Sequence, residues 1–510
     1  MTGAENEPKK ESGPPRDLGH RSVTGLFWTT GSTVIIIVLQ ITVLAILARL
    51  LKPTDFGVAS AAMLIVTFMS VFNEMGIAPS IVLIENLTQR HIRTGFTASL
   101  IIGMIFFTAL FMGAPLVERF FAMPGLAGVC HIVAFIFLFN GAGEVANGIN
   151  SRNLRFREIA LTDAVSYAIA YIGIAVPMAY FGFRYYGLAA GALAQEIITM
   201  AAYNLIARHS MVPLFDWAAF REMTVLTGGF SLARFFNQIA MKGDNFVVGR
   251  VMGATALGLY DRTYQLVALM ATLYGRIVDR VVFPAMTRLQ NEPERLRAAF
   301  VRGTALTALV GVPVGAIVAI LAPYIVILLL GPKWTGMIQP LAVLAYATYF
   351  RTGYRVSALV IRAKGYVYHL AILQGIYAAA VVIGAYVGAR YGLRGVAFAV
   401  LGAIILQFVL LTAVALRLSG LGLREFIVAH RPAVALGTLI GAAAWLTVKL
   451  LAPFAGPIVV ILAALAAVTC VGALAAVVAR DFFFGTAGTQ FLKQVIRIFQ
   501  NYKNRLATDE

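Results

Sequence analysis

The chain has 510 residues, of which 60% are hydrophobic and 13% are charged, and its formal net charge is +18. A soluble core cannot absorb this much apolar surface, and so few charges cannot coat one, which excludes a soluble globular protein and predicts an integral membrane protein. The basic residues separate apolar spans instead of forming a patch with exposed aromatic residues, which favours charges that orient helices over nucleic-acid binding.

Apolar stretches of membrane-spanning length predict about fourteen transmembrane helices. Residues 1–20 are polar and predict a disordered cytoplasmic tail without a cleavable signal peptide. Short connectors between the helices exclude a fused soluble domain. The predicted helices cover residues 23–51, 57–84, 95–117, 127–149, 160–181, 186–207, 222–249, 257–281, 299–321, 336–361, 366–389, 393–416, 433–452 and 456–479.

Two segments 201 positions apart, residues 49–59 and 250–260, share a pattern, and further matches follow in the same order. The repeat predicts two related lobes, residues 21–210 and 211–420. Because each copy spans six helices, an even number, the two lobes must be parallel rather than inverted. Residues 421–482 add two helices beyond the repeat. Residues 483–510 predict a cytoplasmic amphipathic tail, and a frayed basic tail is an equal alternative.

Lysine and arginine residues are distributed unevenly between the predicted connectors. If the N-terminus is cytoplasmic, the inner segments hold 25 of them and the outer connectors hold nine. The positive-inside rule therefore predicts that both termini are cytoplasmic.

Ionisable residues within apolar helices are costly and are expected to face a cavity or a partner. In the second half they form a cationic lining, with Gln339, Gln374 and Gln407 as neutral hydrogen-bonding groups. A planar guanidinium suits phosphate, so this lining predicts a site for a lipid pyrophosphate. The candidate pyrophosphate-binding residues are Arg234, Lys242, Arg262, Arg276, Arg351 and Arg355.

Acidic residues near apolar spans of the first half are candidates for coupling to H⁺ or Na⁺: Glu74, Glu144, Asp163 and Glu196. Structural alternatives remain for several of these residues. Glu144 and Asp163 can pair with the basic connector 152–157, and Arg262 or Arg276 can extend towards the membrane surface.

The remaining residues predict neither catalysis nor a metal site. Cys130 and Cys470 lie in apolar stretches, and the six histidines lack ligand spacing. Since there is also no phosphate-binding Walker loop or nucleophile–base constellation, we expect no enzyme, no ATP-driven pump, and no metal or other bound cofactor.

Four short motifs carry a family resemblance: 27–31 (FWTTG) with Gln40, 48–57 (ARLLKPTDFG), 244–250 (DNFVVGR) and 257–260 (LGLY). Together they resemble the polysaccharide transporter, or Wzx-type flippase, branch of the multidrug/oligosaccharidyl-lipid/polysaccharide exporter superfamily. The resemblance implies a V-shaped, MATE-like fold in the bacterial inner membrane. It also implies that lipid-linked oligosaccharide moves to the periplasmic leaflet by alternating access, for exopolysaccharide, capsule or lipopolysaccharide production. Membrane lipids, a polysaccharide polymerase and export machinery are the implied partners.

Three other functions are weighed against this one. A drug/cation antiporter of the same superfamily favours an acidic and aromatic lining, and a lipid II flippase needs a similar pyrophosphate site. A membrane polysaccharide polymerase or ligase, from another class, is expected to carry a large periplasmic catalytic loop. The outer connectors here are short, and the resemblance favours the oligosaccharide flippase over the lipid II flippase.

The charge distribution generates a topological prediction. Reporter fusions after Arg208 and after Arg424 should report cytoplasm, and a fusion near Lys333 should report periplasm. A periplasmic signal at the first two positions would contradict the parallel arrangement of the lobes.

Overall fold

The computed structural model describes residues 36–73, 76–288, 292–478, 482–484 and 489, without the side chains of 71–73, 226–236, 270–288 and 367. The predicted tail 1–20 and nearly all of the tail 483–510 lie outside this description. Within the described ranges the chain is helical and contains no strand.

The helices are joined by short connectors. Eight described spans are long and apolar enough to cross a membrane, so the chain is a multi-pass membrane protein. The count of fourteen crossings stays a prediction. The helices are α1 (Ile36–Leu50), α2 (Pro53–Asn73), α3 (Ile77–Leu83), α4 (Gln89–Phe121), α5 (Leu126–Arg152), α6 (Phe156–Ala170), α7 (Val176–Tyr180), α8 (Tyr185–Ala207), α9 (Trp217–Arg288), α10 (Pro293–Leu329), α11 (Ile338–Ala363), α12 (Val367–Gly388), α13 (Gly392–Ser419), α14 (Leu423–Leu451) and α15 (Pro457–Val478).

Two predicted helix boundaries differ from the structure. The predicted helix 57–84 is interrupted, since α2 ends at Asn73 and Gly76 has a left-handed φ of 82° before α3 begins. The predicted connector at 250–256 is almost entirely helical. There α9 reverses at a single residue, Gly253, with φ 82° and ψ −175°.

The N-terminal end of α2 packs directly on α9 just after its kink, in a contact that we call the seam (residues 53–58 and 254–258). Thr54 Oγ1 lies 2.9 Å from Thr255 Oγ1. A Cβ added to Gly57 would lie 1.7 Å from the Ala254 carbonyl oxygen, and one added to Gly258 would lie 1.9 Å from that of Pro53. Residues 201 positions apart thus meet reciprocally, as across a two-fold axis.

At the seam end one apolar core contains residues of both lobes. One buried cluster includes Leu51 and Phe56 of the first lobe with Leu257 and Trp334 of the second. Trp334 donates its indole N–H to the Ala48 carbonyl at 2.9 Å and packs edge-on against Phe56 at 5.1 Å. At the opposite end the core divides into one cluster around Ile81 and Val145 and another around Phe300 and Val356. The lobes are therefore packed together at the seam, as expected for the V-shaped fold that the resemblance implies.

The connector between the lobes is fastened to α4 of the first lobe. The amide groups of Leu214 and Asp216 donate to the hydroxyls of Thr97 and Thr94. The Asp216 carboxylate accepts a hydrogen bond from the Ala219 amide at the start of α9 and forms an ion pair with Arg90. The amide hydrogen bond, followed by the ion pair, lowers the pKa of this carboxyl. The first turns of α9 thus remain attached to the first lobe.

Helices α14 and α15 pack on the outside of the second lobe, against α10. Gly437 permits this approach, because an added Cβ would lie 2.7 Å from the Val312 side chain. Arg297 and Glu425 form an ion pair at 2.5 Å at the end opposite the seam. These two helices are therefore an addition to the second lobe.

The seam geometry predicts a cross-link. In a chain with Cys130→Ala and Cys470→Ala, the pair Thr54→Cys and Thr255→Cys should form a disulfide on mild oxidation, because the two replaced hydroxyls lie within bonding range. A protease site is inserted in the connector 208–216, between the two cysteines. After cleavage, the disulfide should hold the two fragments together on a denaturing gel until it is reduced. The pair Thr54→Cys and Thr438→Cys is the control, and equal cross-linking in both pairs would contradict the seam.

Candidate functional site

A cavity of about 130 Å³ lies between the lobes directly below the seam. Its first-lobe wall includes Ser60 and Thr67 of α2, and its second-lobe wall includes Lys242, Asp261 and Arg262 of α9. The cavity is thus lined by apolar and hydroxyl groups on one side and by charged groups on the other.

Asp261 is the centre of the charged wall. One carboxylate oxygen accepts hydrogen bonds from Lys242 at 3.3 Å and Asn245 at 3.2 Å. The other accepts from Arg262 at 2.5 Å and from Ser60 of the first lobe at 2.8 Å. A single carboxylate is therefore the counter-ion of two cations. The three charged residues Lys242, Asp261 and Arg262 together retain a net positive charge.

The kink at Gly253 brings these residues together. Lys242 and Asn245 precede the kink, whereas Asp261 and Arg262 follow it, so the two arms of α9 face each other as antiparallel neighbours. Arg262 also lies 5.1 Å above the ring of Phe56. This contact and the bond from Ser60 to Asp261 make the group a bridge between the lobes.

A second buried group lies inside the second lobe. Arg351 of α11 donates to the hydroxyl of Tyr264 at 2.7 Å, and its guanidinium carbon lies 4.4 Å from the centre of the same ring. Asp244 accepts from the Tyr260 hydroxyl at 2.9 Å and is close enough to Arg351 to attract it electrostatically. The Arg351 side chain is therefore held by aromatic and acidic neighbours.

The predicted cationic residues have different environments. Lys242 and Arg262 lie at the cavity, Arg351 is buried, and Arg355 is exposed one turn further along α11. Among the described residues Arg355 has no ion-pair or hydrogen-bond partner. The side chains of Arg234 and Arg276 lie outside the description.

Sequence reasoning missed Asp261, although two signals pointed to it. It is adjacent to Arg262, and it lies 201 positions after Ser60, the offset of the internal repeat. The predicted neutral groups Gln374 and Gln407 join with Asn237 in a chain of hydrogen bonds of 3.2 and 3.3 Å. Gln339 is exposed near the seam end instead.

Two of the four candidate acidic residues of the first lobe have identified hydrogen-bond partners. Asp163 accepts from the Tyr203 hydroxyl at 2.8 Å, and Glu196 accepts from Asn140 at 3.2 Å. Glu144 is buried, whereas Glu74 lies outside the described residues.

The alternative pairing of these acids with the connector 152–157 is not seen for two of its arginines. Arg152 and Arg155 donate to backbone carbonyls, including those of Ile84 and Ile206, at 2.5 Å each. Within the described ranges no three His, Cys, Asp or Glu residues are arranged to hold a metal ion.

Comparison with known proteins supplies independent information. A family model described as "Polysaccharide biosynthesis protein" matches residues 46–339, more than half of the chain. The teichuronic acid biosynthesis protein TuaB of Bacillus subtilis is 24% identical over 351 residues, which cover 67% of this chain and 71% of TuaB. The succinoglycan biosynthesis transport protein ExoT of Rhizobium meliloti is 22% identical over 307 residues, covering 60% and 62% of the two chains.

The fold is also found among solved structures. The lipid II flippase MurJ, in an inward closed conformation, superposes with a TM-score of 0.70 at 15% identity, covering 89% of this chain and 99% of MurJ. At this identity the likeness shows the fold alone. The prediction of an all-helical membrane protein with two lobes is therefore confirmed, and so is the resemblance read from the motifs.

The charged wall predicts unequal effects of two substitutions. Asp261→Ala should destabilise the protein by about 3 kcal/mol, because it leaves two partly buried cations without their counter-ion. Ser60→Ala removes one hydrogen bond to the same carboxylate and should cost less, about 1.5 kcal/mol, because the other three donors to Asp261 remain. Thermal melting of the purified protein in detergent measures both, and equal melting temperatures for the two variants would contradict the central role of Asp261.

Proposed function

The chain belongs to the polysaccharide biosynthesis protein family, and from this premise we propose that it is a flippase for undecaprenyl-pyrophosphate-linked oligosaccharide in the bacterial inner membrane. The oligosaccharide units would supply exopolysaccharide, capsule or lipopolysaccharide synthesis. A polysaccharide polymerase and export machinery would receive the product on the periplasmic side. The protein would act as a transporter and not as an enzyme.

The observation that carries this proposal is the cationic wall at the cavity between the lobes. Lys242 and Arg262 share one carboxylate there, and Arg355 has no partner among the described residues. Unbalanced positive charge within membrane helices favours an anionic ligand. A lipid pyrophosphate suits the site because its charged head fits between the lobes while its hydrocarbon tail remains in the bilayer.

Asp261 has a particular part in this scheme. Without substrate it neutralises Lys242 and Arg262, so the cations are not left alone in a region of low dielectric constant. A pyrophosphate carries more negative charge than one carboxylate and offers more oxygen atoms to the same donors. Substrate would therefore compete with Asp261 for its cations and weaken the bridge to Ser60.

The arrangement of the lobes supports alternating access. The seam lies at two connectors that the charge distribution predicts to be periplasmic. The V would therefore open towards the cytoplasm. In this orientation both termini are cytoplasmic, and the described conformation is the one that would receive substrate from the inner leaflet. Separation of the seam would then release the head group outwards.

Coupling to an ion belongs to the proposal as well. The carboxylates of Glu144, Asp163 and Glu196 lie in the first lobe, where H⁺ or Na⁺ would reach them without meeting the cationic wall. Tyr203, which donates to Asp163, and Asn140, which donates to Glu196, would provide a polar environment for a bound cation. Glu74 would be a further carboxylate of this proposed coupling site.

The test is transport by variants of α11. Charge-assisted contacts to phosphate contribute about 1.5 to 3 kcal/mol, so Arg355→Ala should weaken binding of lipid-linked oligosaccharide by roughly ten- to a hundredfold. Arg351→Ala should weaken binding indirectly, because Arg351 is buried inside the second lobe and positions Tyr264 of α9. Lysine at either position should retain partial activity, because it keeps the charge but loses the two-pronged geometry. Flipping in proteoliposomes measures the effect.

Arg390→Ala is the matched control, since it removes one positive charge from an exposed connector. All variants are first checked by size-exclusion chromatography. Wild-type flipping rates in well-folded Arg351→Ala and Arg355→Ala proteins would refute the headgroup site.

A further inference from the structure

Two tyrosines of the first lobe stack on each other beside the cavity. The rings of Tyr167 and Tyr171 lie 4.5 Å apart, with 25° between their planes. They are four residues apart, and Tyr171 begins a π-helical turn, Tyr171–Ala175, between α6 and α7. Such turns are rare and occur often at functional sites.

The sequence explains the wide turn. Pro177 has no amide hydrogen to continue the regular ladder of α6. The preceding amide of Val176 bonds to the Tyr171 carbonyl, five residues back. The turn thereby widens the helix at the residue that lines the cavity.

Tyr171 lines the same cavity as Lys242 and Arg262, from the opposite lobe. Both tyrosines are close enough to Arg262 to interact with it electrostatically. Within the described residues neither phenol hydroxyl makes a hydrogen bond, and both side chains are only partly buried. The cavity therefore presents the ring of Tyr171, backed by Tyr167, on one side and cations on the other.

A pyranose ring matches this combination. One face of many pyranoses is mostly C–H groups and packs on an aromatic ring, while the hydroxyls at the edge need hydrogen-bonding partners. The sugar next to a pyrophosphate lies within a few ångströms of the phosphate oxygens. Cations on the second lobe and an aromatic platform on the first would thus bind adjacent parts of one head group.

The cations alone cannot distinguish the loaded carrier, which is undecaprenyl pyrophosphate with its sugars, from the bare carrier, which is undecaprenyl pyrophosphate alone. Undecaprenyl pyrophosphate without sugar carries at least as much negative charge, so electrostatic attraction favours it equally. Selection for the loaded lipid requires a contact with the sugar itself. Of the aromatic residues that line the cavity, Phe56 already lies under Arg262, whereas Tyr171 faces the cationic wall with Tyr167 stacked on it.

We propose that Tyr171, supported by Tyr167, is a stacking platform for the first sugar of the lipid-linked oligosaccharide and selects loaded over bare carrier. This inference rests on the proposed function. It adds a sugar subsite on the first lobe to the pyrophosphate subsite on the second, so that one substrate contacts both lobes.

The experiment compares two soluble probes, farnesyl pyrophosphate and farnesyl-pyrophosphoryl-glucose, by calorimetric titration of the full-length protein in detergent. The wild type should bind the glucosylated probe roughly tenfold more tightly, the size expected for one good aromatic contact. Tyr171→Ala should abolish this preference by weakening the glucosylated probe alone. Tyr171→Phe should keep most of it, because the stacking face remains.

Tyr180→Ala is the matched control, since Tyr180 is a tyrosine of α7 with 74% exposure and does not line the cavity. It should leave both affinities unchanged. Melting temperatures of all variants show whether Tyr171 serves packing only.

Equal affinity of the wild type for the two probes would overturn the sugar subsite and leave the proposed flippase intact. A parallel loss of both affinities in Tyr171→Ala, with a lowered melting temperature, would also overturn it. If the wild type binds neither probe, the proposed function itself fails, and the inference fails with it.

Discussion

The cost of placing charge within a membrane controls the arrangement of this molecule. Water cannot solvate a cation at the middle of the bundle, so each one needs a partner from the chain or from a ligand. Lys242 and Arg262 meet this requirement by sharing Asp261, and Arg351 meets it through Tyr264. The bridge between the lobes follows from these pairings, and so would the preference for an anion that we propose.

The internal duplication explains how one carboxylate came to join the two lobes. Across a two-fold axis, equivalent residues approach each other, as Thr54 and Thr255 do. Two hydroxyls tolerate this because each both donates and accepts. Two aspartates would repel, so the pair Ser60 and Asp261, at the same offset, works only because the two copies have diverged. The charged wall therefore belongs to one lobe, and the two sides of the cavity have different chemistry.

The sequence was sufficient for the coarse architecture because that depends on apolar length and on a repeat offset, both of which can be read along the chain. It was not sufficient for the side-chain partners. Asp261 meets Lys242 only because α9 reverses at Gly253. The sequence predicts a connector of several residues there, whereas the structure makes the reversal at this single residue. Likewise, the π-helical turn at Tyr171 depends on how Pro177 is accommodated within a packed helix. Local periodicity does not encode such distortions.

The seam is built from contacts that hold the lobes without fixing them permanently. Its close approach depends on Gly57 and Gly258, and the polar contacts at or near it include the Thr54–Thr255 pair, the bond from Ser60 to Asp261 and the bond from Trp334 to Ala48. A neutral hydrogen bond such as that between the threonines contributes about 1 kcal/mol, whereas a hydrogen bond to a charged group, such as Asp261 or a phosphate, contributes about 1.5 to 3 kcal/mol. A ligand shifts such an equilibrium only by binding one state more tightly than the other. An anion that draws Lys242 and Arg262 away from Asp261 would meet that condition, because it would weaken the bridge across the seam as it binds.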